Sequence, residues 1–155
     1  MAGDDFSGFY SSSFDRVLRA VWAFCGDEDV AYDSVQEAFA RAYGRWARVR
    51  GARSPQGWVT RTAMNLTRRH FRRATSPLPP DAGPSAPGPT TERVDVLAAL
   101  RSLPRRQRQA VVLHYLADCP VATVADLMGL SEGTVKAHLH RARGVLYELL
   151  EVRHA

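Results

Sequence analysis

A stretch near the end of the chain, LSEGTVKAHLHRARGVL, combines helical apolar spacing with long hydrogen-bond donors. The residues on it that could contact DNA are Thr134, Lys136, Ala137, His140, Arg141 and Arg143. Small side chains let a helix backbone approach the major groove, while Lys and Arg side chains reach base edges and phosphates. The chemistry indicated is recognition of duplex DNA. The alternative interpretation is a solvated basic face on a terminal helix.

A second candidate for DNA contact lies in the middle of the chain, in SPQGWVTRTAMNLTRRHFRRA. At helical spacing, Arg61, Asn65, Arg68 and Arg72 share one face, and Arg69 lies at its edge. The arginines can neutralise phosphates, and Asn65 can read a base edge or an unpaired base. Trp58 could stack on an unpaired base, but packing in the core is the stronger expectation for Trp58, Met64 and Phe71.

Other chemistry finds little support in the sequence. There is no nucleophile elbow, phosphate-binding loop, zinc-protease motif or pair of carboxylates in a pocket-forming context, so no catalytic residue, metal site or cofactor is predicted. Cys25 and Cys119 are far apart in sequence and have apolar neighbours, which predicts ordinary reduced core residues.

Charge is sorted along the chain although the formal net charge is only +5. Residues 1–40 hold eight acids and two arginines, whereas residues 41–80 hold ten arginines and no acid. A basic block of this kind favours a polyanionic partner. No apolar run approaches the ~20 residues of a membrane span, and the first ten residues lack a signal-peptide pattern. The chain is therefore expected to stay in the cytoplasm, away from membranes.

The elements that must position these residues are all predicted to be helices. Helices are expected at about residues 6–25, 29–48, 55–73, 94–103, 105–117, 121–128 and 132–152. Gly129 suits the left-handed backbone that ends a helix, and Ser131 can cap the next one, which predicts a helix-turn-helix. The predicted buried face of its second helix is Val135, Leu139, Ala142 and Leu146.

A proline-rich segment, TSPLPPDAGPSAPGPTT, divides the chain into two parts. Prolines remove backbone donors and fix φ, so this segment is predicted to be a linker. The predicted organisation is an all-α chain with small helical domains at 1–74 and 92–155, joined by the linker 75–91. Each domain alone would have a marginal core.

Taken together, these motifs resemble the sigma factors of bacterial RNA polymerase, of the extracytoplasmic-function group. DSVQEAFARAYGRW resembles region 2.2, PQGWVTRTAMNLTRRHFRR resembles regions 2.3 and 2.4, and LPRRQRQAVVLHYLADCPVATVADLMGLSEGTVKAHLHRARGVL resembles region 4. The three motifs occur in the family's order and cover nearly everything outside the linker.

The resemblance implies a non-enzymatic factor that binds core RNA polymerase and directs promoter-specific initiation. The first domain would read and melt the minus-ten element through Trp58, Arg61, Asn65, Arg68, Arg69 and Arg72. The second would read the minus-thirty-five element through Thr134, Lys136, Ala137, His140, Arg141 and Arg143. Asp33, Gln36, Glu37 and Arg41 would dock on the β′ clamp helices, and the β flap and an anti-sigma protein are further implied partners.

Departures from the family pattern and one competing interpretation stay open. Ser34, Arg69, Ala137 and His138 stand where the family often has Leu, Asp, Ser and Arg, which puts the promoter sequence in doubt. The alternative is a regulator that binds DNA alone through residues 130–146 and dimerises through its first domain. The arginine-rich face within residues 41–73 would repel its own copy, which argues against that alternative.

Overall fold

The structure, a computed structural model, describes residues 2–74 and 91–154, and all regular elements within these ranges are helical. The first lobe comprises α1 (Ala2–Cys25), α2 (Glu28–Gly44), α3 (Trp46–Arg50) and α4 (Pro55–Ala74). The second lobe comprises α5 (Thr91–Ser102), α6 (Arg105–Val111), a π-helical segment (Val112–Leu116), α7 (Val121–Met128) and α8 (Glu132–His154). The all-α prediction is confirmed. The predicted linker lies outside the described residues except for Thr91, where α5 begins.

The helix starts and the turn of the helix-turn-helix use the predicted capping residues. The Ser54 Oγ accepts a hydrogen bond from the Gly57 backbone N–H at 2.9 Å, and the Ser131 Oγ accepts one from the Thr134 N–H at 3.1 Å. Gly129 ends α7 with φ +66°, a left-handed conformation that costs glycine little. The Leu130 N–H returns to the Ala125 carbonyl at 3.0 Å, which completes a Schellman closure. Local sequence therefore determines where α4 and α8 begin.

Two of the expected helices are interrupted in the structure. The expected helix over residues 29–48 breaks at Arg45, so that α2 and the short α3 are separate. The expected helix over residues 105–117 changes to π-helical geometry after Val111, where the Ala117 N–H bonds the Val112 carbonyl at 3.0 Å. Apolar spacing does not distinguish a continuous α-helix from a broken or π-helical one, since the same side chains are buried in each.

The two lobes share one apolar core. Buried residues of α1, α2 and α4, among them Phe24, Phe39 and Met64, belong to the same cluster as Leu103, Leu113 and other buried residues of the second lobe. Helix α1 packs on α5 and on the π segment, and α4 packs on α7. Small lobes with marginal cores gain burial from each other in this arrangement.

Aromatic side chains join α1 to α2 and α3. Phe6 packs edge-on against Trp46 with ring centroids 5.3 Å apart, and Tyr10 packs edge-on against Phe39 at 4.9 Å. Such pairs add about 0.5–1.5 kcal/mol beyond the area they bury. Among the helices within residues 2–74 and 91–154, none has the length and apolar character needed to cross a membrane.

Candidate nucleic-acid interface

Helix α8 turns its predicted reading face to solvent. Lys136, His140 and Arg141 are exposed, as is Thr134, while Ala137 is half-buried. The opposite face is the predicted one: Val135, Leu139 and Ala142 are at most 2% exposed and Leu146 is half-buried. Burial of that stripe fixes the rotation of α8, and the donors face outward as a consequence.

Two residues of the α8 face are held by neighbours. The Arg143 Nη1 donates to the Tyr115 hydroxyl of the π segment at 3.0 Å, so this arginine is oriented by a residue outside its own helix. The Thr134 and Ser131 hydroxyls lie 2.9 Å apart. At the margin of the face, burial first, and then the charges of Arg141 and Arg106, lower the pKa of His138, which favours its neutral form.

Helix α4 buries one face and exposes most of the predicted arginine–asparagine face. Val59, Ala63 and Leu66 are buried, and so is Met64, for which core packing was the stronger expectation. Asn65, Arg68 and Arg72 are exposed, whereas Arg61 is half-buried with no hydrogen-bond partner at its Nε. Burial lowers the pKa of Arg61. Part of the predicted minus-ten strip is therefore withdrawn from solvent.

One carboxylate links α4 to the predicted polymerase face. The Glu37 Oε1 accepts from the Arg69 Nη2 at 2.6 Å, the Glu37 Oε2 lies 3.2 Å from the His70 Nε2, and Arg41 pairs more weakly at 4.0 Å. Partial burial acts to raise the pKa of Glu37, but the His70 hydrogen bond and the charges of Arg69 and Arg41 hold it below its ordinary value. Arg69 and Glu37, predicted for different partners, bind each other here.

The outer face of α4 meets the second lobe. The Gln109 Nε2 donates to the Asn65 Oδ1 at 3.0 Å, and the Arg105 Nη2 donates to the Met64 carbonyl at 2.8 Å. Burial, followed by the charges of Arg68, Arg108 and Arg106, lowers the pKa of Arg105 to about 10. The predicted base-reading Asn65 thus already has a protein partner at its acceptor.

Trp58 lies half-buried at the same junction. It lines a cavity of about 340 Å³ whose walls come from both lobes: Arg48, Ala52, Arg53, Ser54, Arg61, Thr123, Asp126 and Leu127. Arg53 pairs across this cavity with Asp126 at 3.2 Å. The cavity has an aromatic wall and several cations, features that suit a base and its phosphate.

The predicted polymerase-binding residues lie together on α2. Asp33 and Arg41 are exposed, and Gln36 and Glu37 are half-buried. The Gln36 Oε1 accepts from the Tyr10 hydroxyl at 3.3 Å. Beside them runs a partly apolar groove of about 500 Å³ between α1 and α2, lined by Phe6, Ser7, Tyr10, Ser11, Gln36, Phe39, Ala40 and Tyr43. The groove is concave, and its α1 wall was missed in the sequence.

Each lobe matches a known protein family. Residues 9–76 match the family Sigma-70 region 2, and residues 93–146 match Sigma-70, region 4. The chain belongs to the extracytoplasmic-function group of bacterial RNA polymerase sigma factors. It is 31% identical to the RNA polymerase sigma-E factor of Streptomyces coelicolor, over 96% of this chain and 88% of that protein. It is 30% identical to the sigma factor EcfG of Rhodopseudomonas palustris, over 82% and 75% respectively.

A solved structure shares the fold of this sigma factor. The sigma factor RpoE of Bartonella quintana, crystallised with the anti-sigma factor NepR, superposes with a TM-score of 0.76 at 22% identity, covering 96% of this chain and 98% of that one. As a sigma factor, the chain functions in transcription initiation with core RNA polymerase and promoter DNA as partners.

Several residues with evident roles gave no signal in the sequence. Gln109, Arg105 and Tyr115 occur in stretches that read as ordinary amphipathic helix, and their partners are more than 25 residues away. Both cysteines are free, as predicted. Burial raises the pKa of Cys25 to about 11 and also raises that of Cys119, so both are protonated at neutral pH.

Proposed function

We propose that this sigma factor reads the minus-thirty-five element through α8 and reads and melts the minus-ten element through α4. One observation carries the proposal: the same chain presents a helix-turn-helix with solvent-facing donors and a second helix with an arginine–asparagine strip. The exposure of Lys136, His140 and Arg141 supports contact with base edges and phosphates in a major groove. Thr134, Ala137 and Arg143 complete that face.

On α4, the proposed minus-ten residues are Trp58, Arg61, Asn65, Arg68, Arg69 and Arg72. The arginines would follow the phosphates of the separated strand, and Asn65 would contact an unpaired base. The cavity beside Trp58 supports this assignment, since an aromatic wall among cations suits a flipped base. No cofactor or catalytic residue is required, because the work is strand separation by differential binding.

The proposed polymerase-docking surface is Asp33, Gln36, Glu37 and Arg41 on α2, which would contact the β′ clamp helices. The second lobe would contact the β flap. Such a factor would act in the cytoplasm, where transcription occurs. We also propose an anti-sigma protein as a partner, because the structural neighbour was crystallised with one.

The test is transcription in vitro with purified chain, core bacterial RNA polymerase and a library of promoter fragments, followed by sequencing of the transcripts. Discrete start sites that require the chain are expected, and aligning their upstream sequences gives both elements. Lys136→Ala should lower this activity, while Arg19→Ala, which removes an exposed cation on α1, should not. Sequence-specific duplex binding by the chain alone, with no transcripts, would instead support a stand-alone regulator.

A further inference from the structure

Arg143 extends the reading face of α8 toward its C-terminal end. It follows Lys136 by seven residues and His140 by three, so the three side chains share one face of the helix. At 1.5 Å per residue, Arg143 stands about 10 Å beyond Lys136 along the helix axis. A recognition helix contacts base edges mainly through its N-terminal residues. Given the proposed function, on which this inference rests, Arg143 would therefore meet a backbone phosphate.

A tyrosine from outside the helix-turn-helix holds Arg143. The Arg143 Nη1 donates to the Tyr115 hydroxyl at 3.0 Å, across 28 residues of sequence. The helix-turn-helix consists of α7 and α8, whereas Tyr115 belongs to the π-helical segment Val112–Leu116. The bond uses one of the five N–H donors of the guanidinium group. Tyr115 is 47% exposed and Arg143 is exposed, so the contact orients the arginine without covering it.

The Tyr115 hydroxyl orients Arg143 without cancelling its charge, because a phenol is an uncharged acceptor. No salt bridge within the described residues involves Arg143. By contrast, Arg69 of α4 donates to the Glu37 carboxylate at 2.6 Å. A phosphate would meet a full positive charge at Arg143 and a partly neutralised one at Arg69.

Tyr115 is itself supported by its neighbour in the π-helical segment. The His114 Nδ1 lies 2.8 Å from the Cys119 carbonyl oxygen, which fixes the imidazole. The His114 and Tyr115 rings pack edge-on with their centroids 4.8 Å apart. The Cys119 N–H in turn donates to the Leu113 carbonyl at 3.0 Å. The phenol ring is therefore oriented by the second lobe before any DNA is bound.

The π-helical geometry changes the direction in which Tyr115 points. The Ala117 N–H reaches back five residues to the Val112 carbonyl at 3.0 Å, so this turn holds one residue more than an α-helical turn. The added residue rotates the side chains that follow, while Val112 and Leu113 stay buried. Such turns recur at functional sites. A sequence interpreted with α-helical spacing misplaces Tyr115, and its pairing with Arg143 is missed for that reason.

We propose that Tyr115 is a positioning residue for minus-thirty-five recognition: it holds the Arg143 guanidinium in the orientation that contacts a phosphate of the promoter backbone. A freely moving arginine side chain samples many rotamers, and ordering it on binding reduces affinity. Tyr115 restricts that freedom in advance, so less freedom is lost when DNA binds. The DNA-binding surface of the second lobe thus depends on a residue outside the helix-turn-helix.

The test measures the affinity of holoenzyme for a promoter duplex from the transcription library at several salt concentrations. Tyr115→Phe removes only the hydroxyl, and affinity is expected to fall about two- to tenfold, the factor that corresponds to ordering one side chain. The slope of log affinity against log salt concentration should not change, because the phosphate contact is kept. Arg143→Ala should weaken binding at least as much and lower the magnitude of that slope by about 1.

A double variant separates positioning from other roles of Tyr115. In a chain that already carries Arg143→Ala, Tyr115→Phe should have no further effect, since no guanidinium group is left to orient. Tyr147→Phe is the matched control. It also removes one exposed tyrosine hydroxyl from the second lobe, but that hydroxyl donates to Glu151 of its own helix at 3.1 Å. Its affinity for duplex should equal that of the unmodified chain.

Three results would overturn the positioning role: unchanged affinity in Tyr115→Phe, an equal loss from Tyr115→Phe with and without Arg143, or a salt slope that Arg143→Ala leaves unaltered. The second of these is also what a merely structural role would give. The proposed function would survive all three if Lys136→Ala still weakens duplex binding. If the unmodified chain directs no promoter-specific transcripts, the proposed function fails and the positioning role fails with it.

Discussion

The helices α4 and α8 carry similar chemistry but are held differently. Helix α8 is set by local features, namely the Ser131 cap, the Gly129 turn and a buried stripe, and its donors face solvent. Helix α4 has an equally good local start at Ser54, yet the Asn65 side chain on its outer face and the Met64 carbonyl both accept hydrogen bonds from the second lobe. The difference teaches that side chains suited to DNA contact can face solvent on one helix, while on another helix such a side chain is already hydrogen-bonded to protein.

Removing a buried side chain of α8 should have the largest effect, a loss of folding stability. Leu139→Ala deletes a side chain that is 2% exposed beneath α8, so the free energy of unfolding should fall by about 2–5 kcal/mol, measured by urea denaturation. Val145→Ala on the exposed side of the same helix is the control and should change stability by much less. An equal loss in both variants would show that α8 is not fixed by its buried stripe.

Changes to the α8 donors should weaken duplex binding next most strongly. Lys136→Ala and Arg141→Ala should each cost about 1–3 kcal/mol if the side chain contacts a base, measured as the affinity of holoenzyme for promoter duplex. If the side chain contacts a phosphate instead, the slope of log affinity against log salt concentration should fall in magnitude by about 1. Promoter opening, once the complex has formed, should be unchanged. Unaltered affinity and salt dependence in both variants would remove α8 from DNA recognition.

Changes to α4 should give the complementary result. Arg61→Ala and Asn65→Ala should reduce promoter opening, followed by permanganate reactivity of unpaired thymines, by several-fold or more, with closed-complex affinity little altered. Gln109→Ala is the matched comparison for Asn65→Ala, because it removes the other half of the same hydrogen bond. We expect it to leave opening intact. Equal binding and opening defects in the α4 and α8 variants would contradict the division of roles.

A smaller change should loosen the contact between lobes. In Gly57→Ala the new methyl group meets Cys119 and Leu127, so the lobes must shift apart. Amide hydrogen exchange in α6 and around Cys119 should become faster. Gly8→Ala is matched in helix gain but meets nothing within 4 Å, and it should not alter exchange in the second lobe. Unchanged exchange in Gly57→Ala would show that the lobes do not meet closely at this point.

The smallest expected effect concerns Glu37. Its folded pKa is lowered, so its pairing with Arg69 and His70 stabilises the fold fully above the ordinary carboxyl pKa of 4.5. That contribution is lost as the pH falls below 4.5 and through the lower folded pKa. Unfolding free energies from pH 3 to pH 6 should show this loss in the unmodified chain and less of it in Glu37→Gln. Identical pH profiles would mean that the cluster adds nothing to stability.

Local features of the sequence predict much of the fold. The caps at Ser54 and Ser131, the left-handed Gly129 and the buried stripe of α8 follow from residue type and helical spacing. The π-helical segment does not, because it buries the same side chains as an α-helix would. The Asn65–Gln109 and Glu37–Arg69 contacts join residues 44 and 32 positions apart, and nothing in either local stretch marks its partner. What spacing cannot predict is which polar groups meet across the fold.

The most direct test of the contrast between the two helices compares Lys136→Ala with Asn65→Ala in holoenzyme on one promoter from the transcription library. The affinity for promoter duplex and the permanganate reactivity of unpaired thymines would be measured on the same complexes. Lower affinity with normal opening in Lys136→Ala, and normal affinity with reduced opening in Asn65→Ala, is the predicted result. Equal defects of both kinds in the two variants would contradict separate roles for α8 and α4.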